Sequence, residues 1–428
     1  MRLHSEDQYI KEHIKDGMTG LELESHRIDG NGNLAHTKHP FPGSPYIDRD
    51  FSEAQMEINT PPADSPAEAL EFLENQLALV HEKIGGDGEL LWPFSNPPII
   101  KGEDDIPIAR YEGDLLPSYY YRIYLAERYG KYKMTYSGIH YNYSFSEELL
   151  RRNFEIDEEA GAYDGDFDGY KNQFYLKLAE KALAYSWVVV SLLAASPIVD
   201  NSFYELGKSG DSIFTGFSSL RCSEFGYWNP FLPILSYESI EGYTGSIEGY
   251  LDQGLLIQAR ELYYPVRIKP PGKYTLQALK DDGISHIELR QVDLNPFVKG
   301  GADIRDMNFL KLLLIYLASV DMETLSQQDQ MQALQNHKTA AQYDWDIARI
   351  TTAGKQAGTL REYLRDLLTD MKEFYADDRE ALELLDYQQK KVDDDDFRYA
   401  SRVRKEYGED YITKGIHRAK KIQEAFDV

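Results

Sequence analysis

The sequence predicts an α+β fold, built on an antiparallel sheet with one face packed on helices. Three observations carry this expectation. Four separate segments alternate apolar and polar residues with the period of two that a half-buried strand requires. Between them lie stretches with helical spacing and recognisable cap residues. From residue 331 onward the pattern is helical.

The first segment, GLELESHR at residues 20–27, puts Glu22 and Glu24 on one face and its leucines on the other. A second strand is expected over residues 50–60, with Asp50 at its start and Glu53, Gln55 and Glu57 aligned, stopped by Pro61 and Pro62. A helix follows, with Ser65 as N-cap, Pro66 at its first position and Glu68 completing a capping box. Its apolar stripe is Leu70, Leu73, Leu77, Val80 and Ile84, and Gly85 is its expected C-cap. A tyrosine-rich helix over 119–129 leads into a third strand, 135–144. There Gly138, His140, Asn142 and Ser144 face away from Ile139, Tyr141 and Tyr143. Residues 155–169 read as an acidic surface loop, and 171–195 as one long apolar helix halted before Pro197. Extended or loop segments are expected at 217–229 and 261–269, with a helix near 247–260 between them. The fourth strand, 285–293, sets His286, Glu288 and Arg290 opposite Ile287 and Leu289, and a helix over 303–319 packs behind it. Thr359 and Glu362 form a second capping-box pattern, and the four aspartates at 393–396 precede a final basic helix. With no internal repeat and no long Pro/Ser-rich linker, the expected organisation is a catalytic domain over 1–330 and a helical C-terminal region over 331–428 packed on it.

Composition removes several function classes. A formal net charge of −26 disfavours nucleic acid and anionic membrane as partners, since both require basic surface. The single cysteine, Cys222, rules out an internal disulfide framework. Alternation would turn it away from Arg221 as a small buried residue. The longest apolar runs, near 187–195 and 309–320, fall short of the roughly 18 residues of a membrane span. The first residues carry no apolar signal region, so a cytoplasmic protein is expected. No P-loop, zinc-protease or nucleophile-elbow pattern occurs, and no feature fixes an oligomeric state.

Taken singly, each polar pair has an ordinary reading. Glu22 and Glu24 could be a wet strand face, His140 a structural histidine, Glu288 and Arg290 a same-face ion pair, and Tyr227 and Tyr263 sheet aromatics. Taken together, four strands each present one chemically loaded face. Carboxylates converging on a common hollow repel unless cations sit among them, and oxygen ligands with one imidazole suit Mg²⁺ or Mn²⁺. Such metals suit phosphate-bearing substrates, and Arg290 would neutralise charge on a transferring phosphoryl group.

Seven segments in this order resemble bacterial glutamate–cysteine ligase: GLELESHR (20–27), DFSEAQME (50–57), WPFSNP (92–97), SGIHYNYS (137–144), SLRCSEFGY (219–227), ELYYPVR (261–267) and IELRQVDLNPF (287–297). The resemblance implies a glutamine-synthetase-like curved antiparallel sheet, a funnel with helices on its outer face and divalent metals on its inner one. It assigns Glu22, Glu24, Asp50, Glu57, His140 and Glu288 to metal positions and Arg290 to the phosphate. Arg221, Tyr227 and Tyr263 fall where the family contacts the acceptor or the phosphoryl group, and Asn142 and Arg267 are further expected substrate contacts. The implied substrates are ATP, glutamate and cysteine, joined through a γ-glutamyl phosphate. Bifunctional forms continue into an ATP-grasp domain, whereas this sequence ends at Val428, so only the first ligation is expected. Two other readings stay open: another amine as acceptor, or a relative that binds nucleotide or glutamate without turnover.

Overall fold

The computed structural model describes residues 1–204, 208–352 and 356–426. Nine strands are named in chain order: β1 (Gly17–Ile28), β2 (Ile47–Arg49), β3 (Gln55–Asn59), β4 (Leu90–Leu91), β5 (Ile139–Phe145), β6 (Ile198–Asp200), β7 (Ser212–Phe214), β8 (Val266–Lys269) and β9 (His286–Val292). Seven of them make an open antiparallel sheet in the order β2-β3-β1-β5-β9-β8, with β4 added to the far end of β1. The other two, β6 and β7, form a separate hairpin.

One face of this sheet is apolar, as the alternation requires. Leu21 and Leu23 of β1, Met56 and Ile58 of β3, Ile139, Tyr141 and Tyr143 of β5, and Ile287 and Leu289 of β9 all belong to the main core. Helices α1 (Gln8–His13), α2 (Pro66–Gly85), α3 (Leu116–Tyr129), α4 (Glu147–Glu159), α5 (Phe167–Ala184), α6 (Ser186–Leu193), α7 (Ile240–Asp252), α8 (Leu276–Asp282) and α9 (Ile304–Ser319) occupy the first part of the chain. Of these, α2, α5, α6 and α9 pack on the sheet. In α2 the Ser65 hydroxyl accepts the backbone N–H of Glu68 at 3.2 Å, Pro66 opens the helix, and Leu73, Leu77, Val80 and Ile84 are buried. The C-terminal helices are α10 (Gln327–Ala340), α11 (Leu360–Phe374), α12 (Arg379–Asp393), α13 (Tyr399–Tyr407) and α14 (Tyr411–Glu424). The main core runs through this region as well, as far as Val392. No helix among the described residues is long and apolar enough to cross a membrane.

Several expected elements are corrected. Residues 50–60 are not one strand, because the chain turns between β2 and β3 and the Gln55 N–H bonds to the Ser52 carbonyl. Glu53 therefore leaves the face of Glu57, and its carboxylate instead accepts backbone N–H groups of His39 and Arg110 at 2.9 Å each. The long helix over 171–195 divides at Tyr185 (φ −105°, ψ 11°), where neither glycine nor proline marks the break. The helix expected near 247–260 lies earlier, at α7. Ser239 caps it by accepting the Gly242 N–H, and Gly254 in the left-handed region (φ +69°) follows its end. Ser146 caps α4, which runs into the expected loop at 155–169 as far as Glu159, and α5 begins at Phe167, so the loop is confined to the residues between them. The third strand begins only at Ile139, after a 3₁₀ turn over Tyr132–Thr135. Beyond residue 331 the pattern is not purely helical, since β10 (Arg349–Ile350) pairs with β11 (Gly358–Thr359). The Thr359–Glu362 capping box is formed in both directions.

Candidate active site

Register places the acidic strands side by side. Across β1 and β3, Glu24 stands directly opposite Glu57, while across β1 and β5 Glu22 stands opposite His140. On the other flank Asn142 of β5 and Arg267 of β8 both pair with Glu288 of β9. The polar face formed in this way lines a pocket of about 370 Å³. Of the twelve residues expected from the sequence, eleven line it: Glu22, Glu24, Asp50, Glu57, His140, Arg221, Tyr227, Tyr263, Arg267, Glu288 and Arg290. Asn142 stands one step behind, donating from Nδ2 to Glu22 Oε1 at 3.1 Å.

The tightest cluster is Glu22, His140 and Glu288, each offering a ligand atom within 4.8 Å of the others. Nδ1 of His140 lies 3.0 Å from Glu22 Oε2 and 3.2 Å from Glu288 Oε1. Burial and the nearby Arg290 charge push the imidazole below its usual pKa, which keeps it neutral, the form that can donate a lone pair to a metal. Burial would raise the Glu288 carboxyl, but Arg290 and Lys269 outweigh it and hold it at about 2. Likewise Lys269 and the His140 hydrogen bond overcome burial at Glu22 and hold it well below the usual carboxylate range.

Glu24, Glu57 and Asp50 form a contrasting half. Burial and the charge of Asp50 push Glu24 well up, and the same two causes push Glu57 to about 8. Like charges directly opposite one another on paired strands are destabilising, so this half calls for a proton or a cation. A divalent ion fits the donor set: half-buried carboxylates on both halves, the fully buried Glu288, one neutral imidazole, and a Glu288 Oε2 that has no hydrogen-bond partner among the described residues.

The loop between β7 and α7 brings in Arg221, Cys222 and Tyr227. At β9 the pairing with β5 shifts by one residue, since Ile139 faces Val292 but Tyr141 faces Leu289. The carbonyls of this bulge are covered from the loop. Arg221 donates to the carbonyls of Arg290 at 2.8 Å and Val292 at 3.4 Å, and the Cys222 thiol donates to that of Gln291 at 3.4 Å. Cys222 does not alternate away from Arg221, because the chain turns here and Sγ lies 4.0 Å from Nη1. It is a buried residue all the same, with its thiol pushed up to about 11 by burial, which does not suit a nucleophile.

Gly138 is what lets this guanidinium approach the sheet. A Cβ at Gly138 would lie 2.4 Å from Cζ of Arg221. The obstacle is the end of a flexible side chain, so Gly138→Ala is expected to displace Arg221 with little loss of stability. Turnover should fall by about tenfold or more, the scale of a misplaced site group. Parallel kinetics and melting curves check this.

Tyr227 and Tyr263 make an aromatic wall, with ring centroids 3.7 Å apart and Tyr129 packed edge-on against both. Asn229 fixes the Tyr263 side of the wall by accepting the Tyr263 N–H and donating to the Glu261 carbonyl. Sequence reasoning missed Lys269, which bridges Glu22 and Glu288, although its spacing of two from Arg267 on β8 was the available signal. It also missed Trp228 and His337, whose rings meet edge-on at the pocket. His337 belongs to α10, and no local pattern could have placed that helix here.

A sequence model of the glutamate–cysteine ligase family matches residues 3–340. The chain belongs to the glutamate–cysteine ligase family. Among curated relatives, the bifunctional glutathione biosynthesis protein of Listeria monocytogenes is 37% identical over 342 residues, covering 76% of this chain and 43% of the relative. That of Streptococcus thermophilus is 35% identical over 386 residues, covering 86% of this chain and 49% of the relative. This ligase-family chain thus spans less than half the length of these relatives. Its fold is similar to the crystal structure of a bifunctional glutathione synthetase from Pasteurella multocida, with a TM-score of 0.83 at 27% identity over 100% of this chain and 55% of that one. It is also similar to glutamate–cysteine ligase from Francisella tularensis, solved with AMP, with a TM-score of 0.85 at 22% identity over 96% and 89% of the two chains.

Proposed function

We propose that the protein is an ATP-dependent carboxylate–amine ligase that joins the γ-carboxyl of glutamate to the amine of cysteine. The observation that carries this reading is the convergence of Glu22, His140 and Glu288, with Arg290 bonded to Glu288 at 2.5 Å, on one wall of a single pocket. Glu22, Glu24, Asp50, Glu57, His140 and Glu288 would hold Mg²⁺ or Mn²⁺, which would supply charge neutralisation for phosphoryl transfer.

A carboxylate does not acylate an amine in water at a useful rate, so its oxygen has to be made a leaving group. The γ-carboxylate oxygen attacks the γ-phosphorus of ATP, and the bond to ADP breaks. The acceptor nitrogen then attacks the acyl carbon, phosphate departs, and the nitrogen loses a proton. Arg290 stabilises charge on the transferring group. Arg221, Tyr227, Tyr263 and Arg267 orient the amino-acid substrates, and Asn142 orients Glu22. The acyl phosphate must be kept from water, and the apolar wall of Leu125, Met134, Tyr136, Trp228 and Tyr264 serves that end.

The test is incubation with ATP, Mg²⁺, cysteine and glutamate carrying ¹⁸O in its γ-carboxyl. Equimolar ADP and γ-glutamylcysteine, with one labelled oxygen in the released phosphate, is the expected result. Release of AMP and pyrophosphate, or phosphate without label, would count against the acyl phosphate. Preference for another amine in direct competition would move the acceptor away from cysteine.

A further inference from the structure

We propose that Lys269 is a built-in counter-cation: its ammonium holds Glu22 and Glu288 together in the metal-free protein and must leave them when a divalent ion binds, so it sets how tightly the substrate-free protein takes up metal. The inference rests on the metal reading of Glu22, His140 and Glu288.

Lys269 ends β8, and its Nζ lies 3.0 Å from Glu22 Oε1 and 3.4 Å from Glu288 Oε2. These are two of the three residues whose ligand atoms cluster within 4.8 Å. On the opposite side of the same pair His140 makes the matching contacts, so Glu22 and Glu288 are bridged twice, once by an imidazole and once by an ammonium. An ammonium and a divalent ion drawn to the same two carboxylates in a buried pocket repel each other strongly, because low dielectric magnifies like-charge contact.

Of Arg267, Lys269 and Arg290, the Lys and Arg side chains paired with Glu288 among the described residues, Lys269 is the one built to move. Arg267 is tethered through Nη2 to the carbonyls of Arg260 and Leu262. Arg290 is clamped to Glu288, and its own carbonyl is held by Arg221. Lys269 has a flexible four-carbon stem, and among the described residues the only hydrogen bond of its ammonium is to the Glu22 carboxylate. Its side chain lines the pocket, so the displaced ammonium stays within reach of an anionic substrate group. Metal uptake and anion binding are coupled through one residue on this account.

The direct test titrates the full chain with Mn²⁺ alone and reads the free ion by electron paramagnetic resonance. Lys269→Met and Lys269→Gln are both compared with the unsubstituted protein. Each substitution should tighten Mn²⁺ binding by at least about tenfold, since a like charge beside the ion is gone. Saturating Mn²⁺ should also raise the melting temperature of either variant by more than it raises that of the unsubstituted protein. Equal or weaker binding by the variants, with a Mn²⁺ melting shift no larger than the parent's, overturns the role of Lys269 while leaving the metal site intact. No Mn²⁺ binding by any of the three proteins overturns the metal reading and this inference together.

Discussion

Replacing Arg290 with alanine is expected to lower kcat by at least about 10²-fold, the usual scale for removing one charge-stabilising group from a transition state. The melting temperature should change little, because Arg290 lies at a bulge and faces the pocket. Glu288→Ala should cost at least as much. It deletes a carboxylate that pairs with Arg290 at 2.5 Å, His140 at 3.2 Å, Lys269 at 3.4 Å and Arg267 at 3.7 Å, leaving several cations without their common partner. Because Glu288 and Arg290 form one unit, the double substitution should fall well short of the product of the two single losses. Steady-state kinetics on the three variants checks this. Turnover near that of the parent in either single variant would remove that residue from the chemistry.

The largest stability effect is expected at residues that do not line the pocket. Asp306 of α9 is buried and accepts from Lys391 at 2.6 Å, Gln388 at 2.9 Å and Tyr399 at 2.7 Å, while Lys391 also donates to the Leu192 carbonyl at 3.0 Å. Four helices, α6, α9, α12 and α13, meet at this network. Asp306→Ala leaves the Lys391 ammonium buried without its counter-charge and should destabilise the protein by about 3–5 kcal/mol. Replacing both residues with apolar ones of similar volume should recover much of that loss, since the pair itself is close to neutral against a packed apolar alternative. Urea denaturation midpoints read both effects. A loss below about 1 kcal/mol in Asp306→Ala would show that the network contributes little.

Strand alternation made the loaded face legible, because period two is a local property. It put Glu22 with Glu24, His140 with Asn142 and Glu288 with Arg290, and the register then aligned these strands. It failed at Glu53, where a turn between β2 and β3 breaks the phase and nothing in the residues 50–54 announces it. The start of α7 differs from expectation for another reason: Ser239, whose side chain accepts the Gly242 N–H, caps it ahead of the 247–260 stretch. For Lys269 and Gly138 alternation marks the face but not the partners. Their roles depend on which side chains reach them from other strands and loops, and that is a property of packing. The same holds for Asp306 and Lys391, separated by 85 residues in the chain.

The most direct test is a crystal structure of the protein with Mn²⁺ and a non-hydrolysable ATP analogue, using the anomalous signal to locate the metal. The expected result is an anomalous peak within bonding distance of Glu22, His140 and Glu288, with the γ-phosphate facing Arg290 and the ammonium of Lys269 moved off Glu288. Peaks elsewhere on the molecule, with those three side chains bearing no metal, would contradict it.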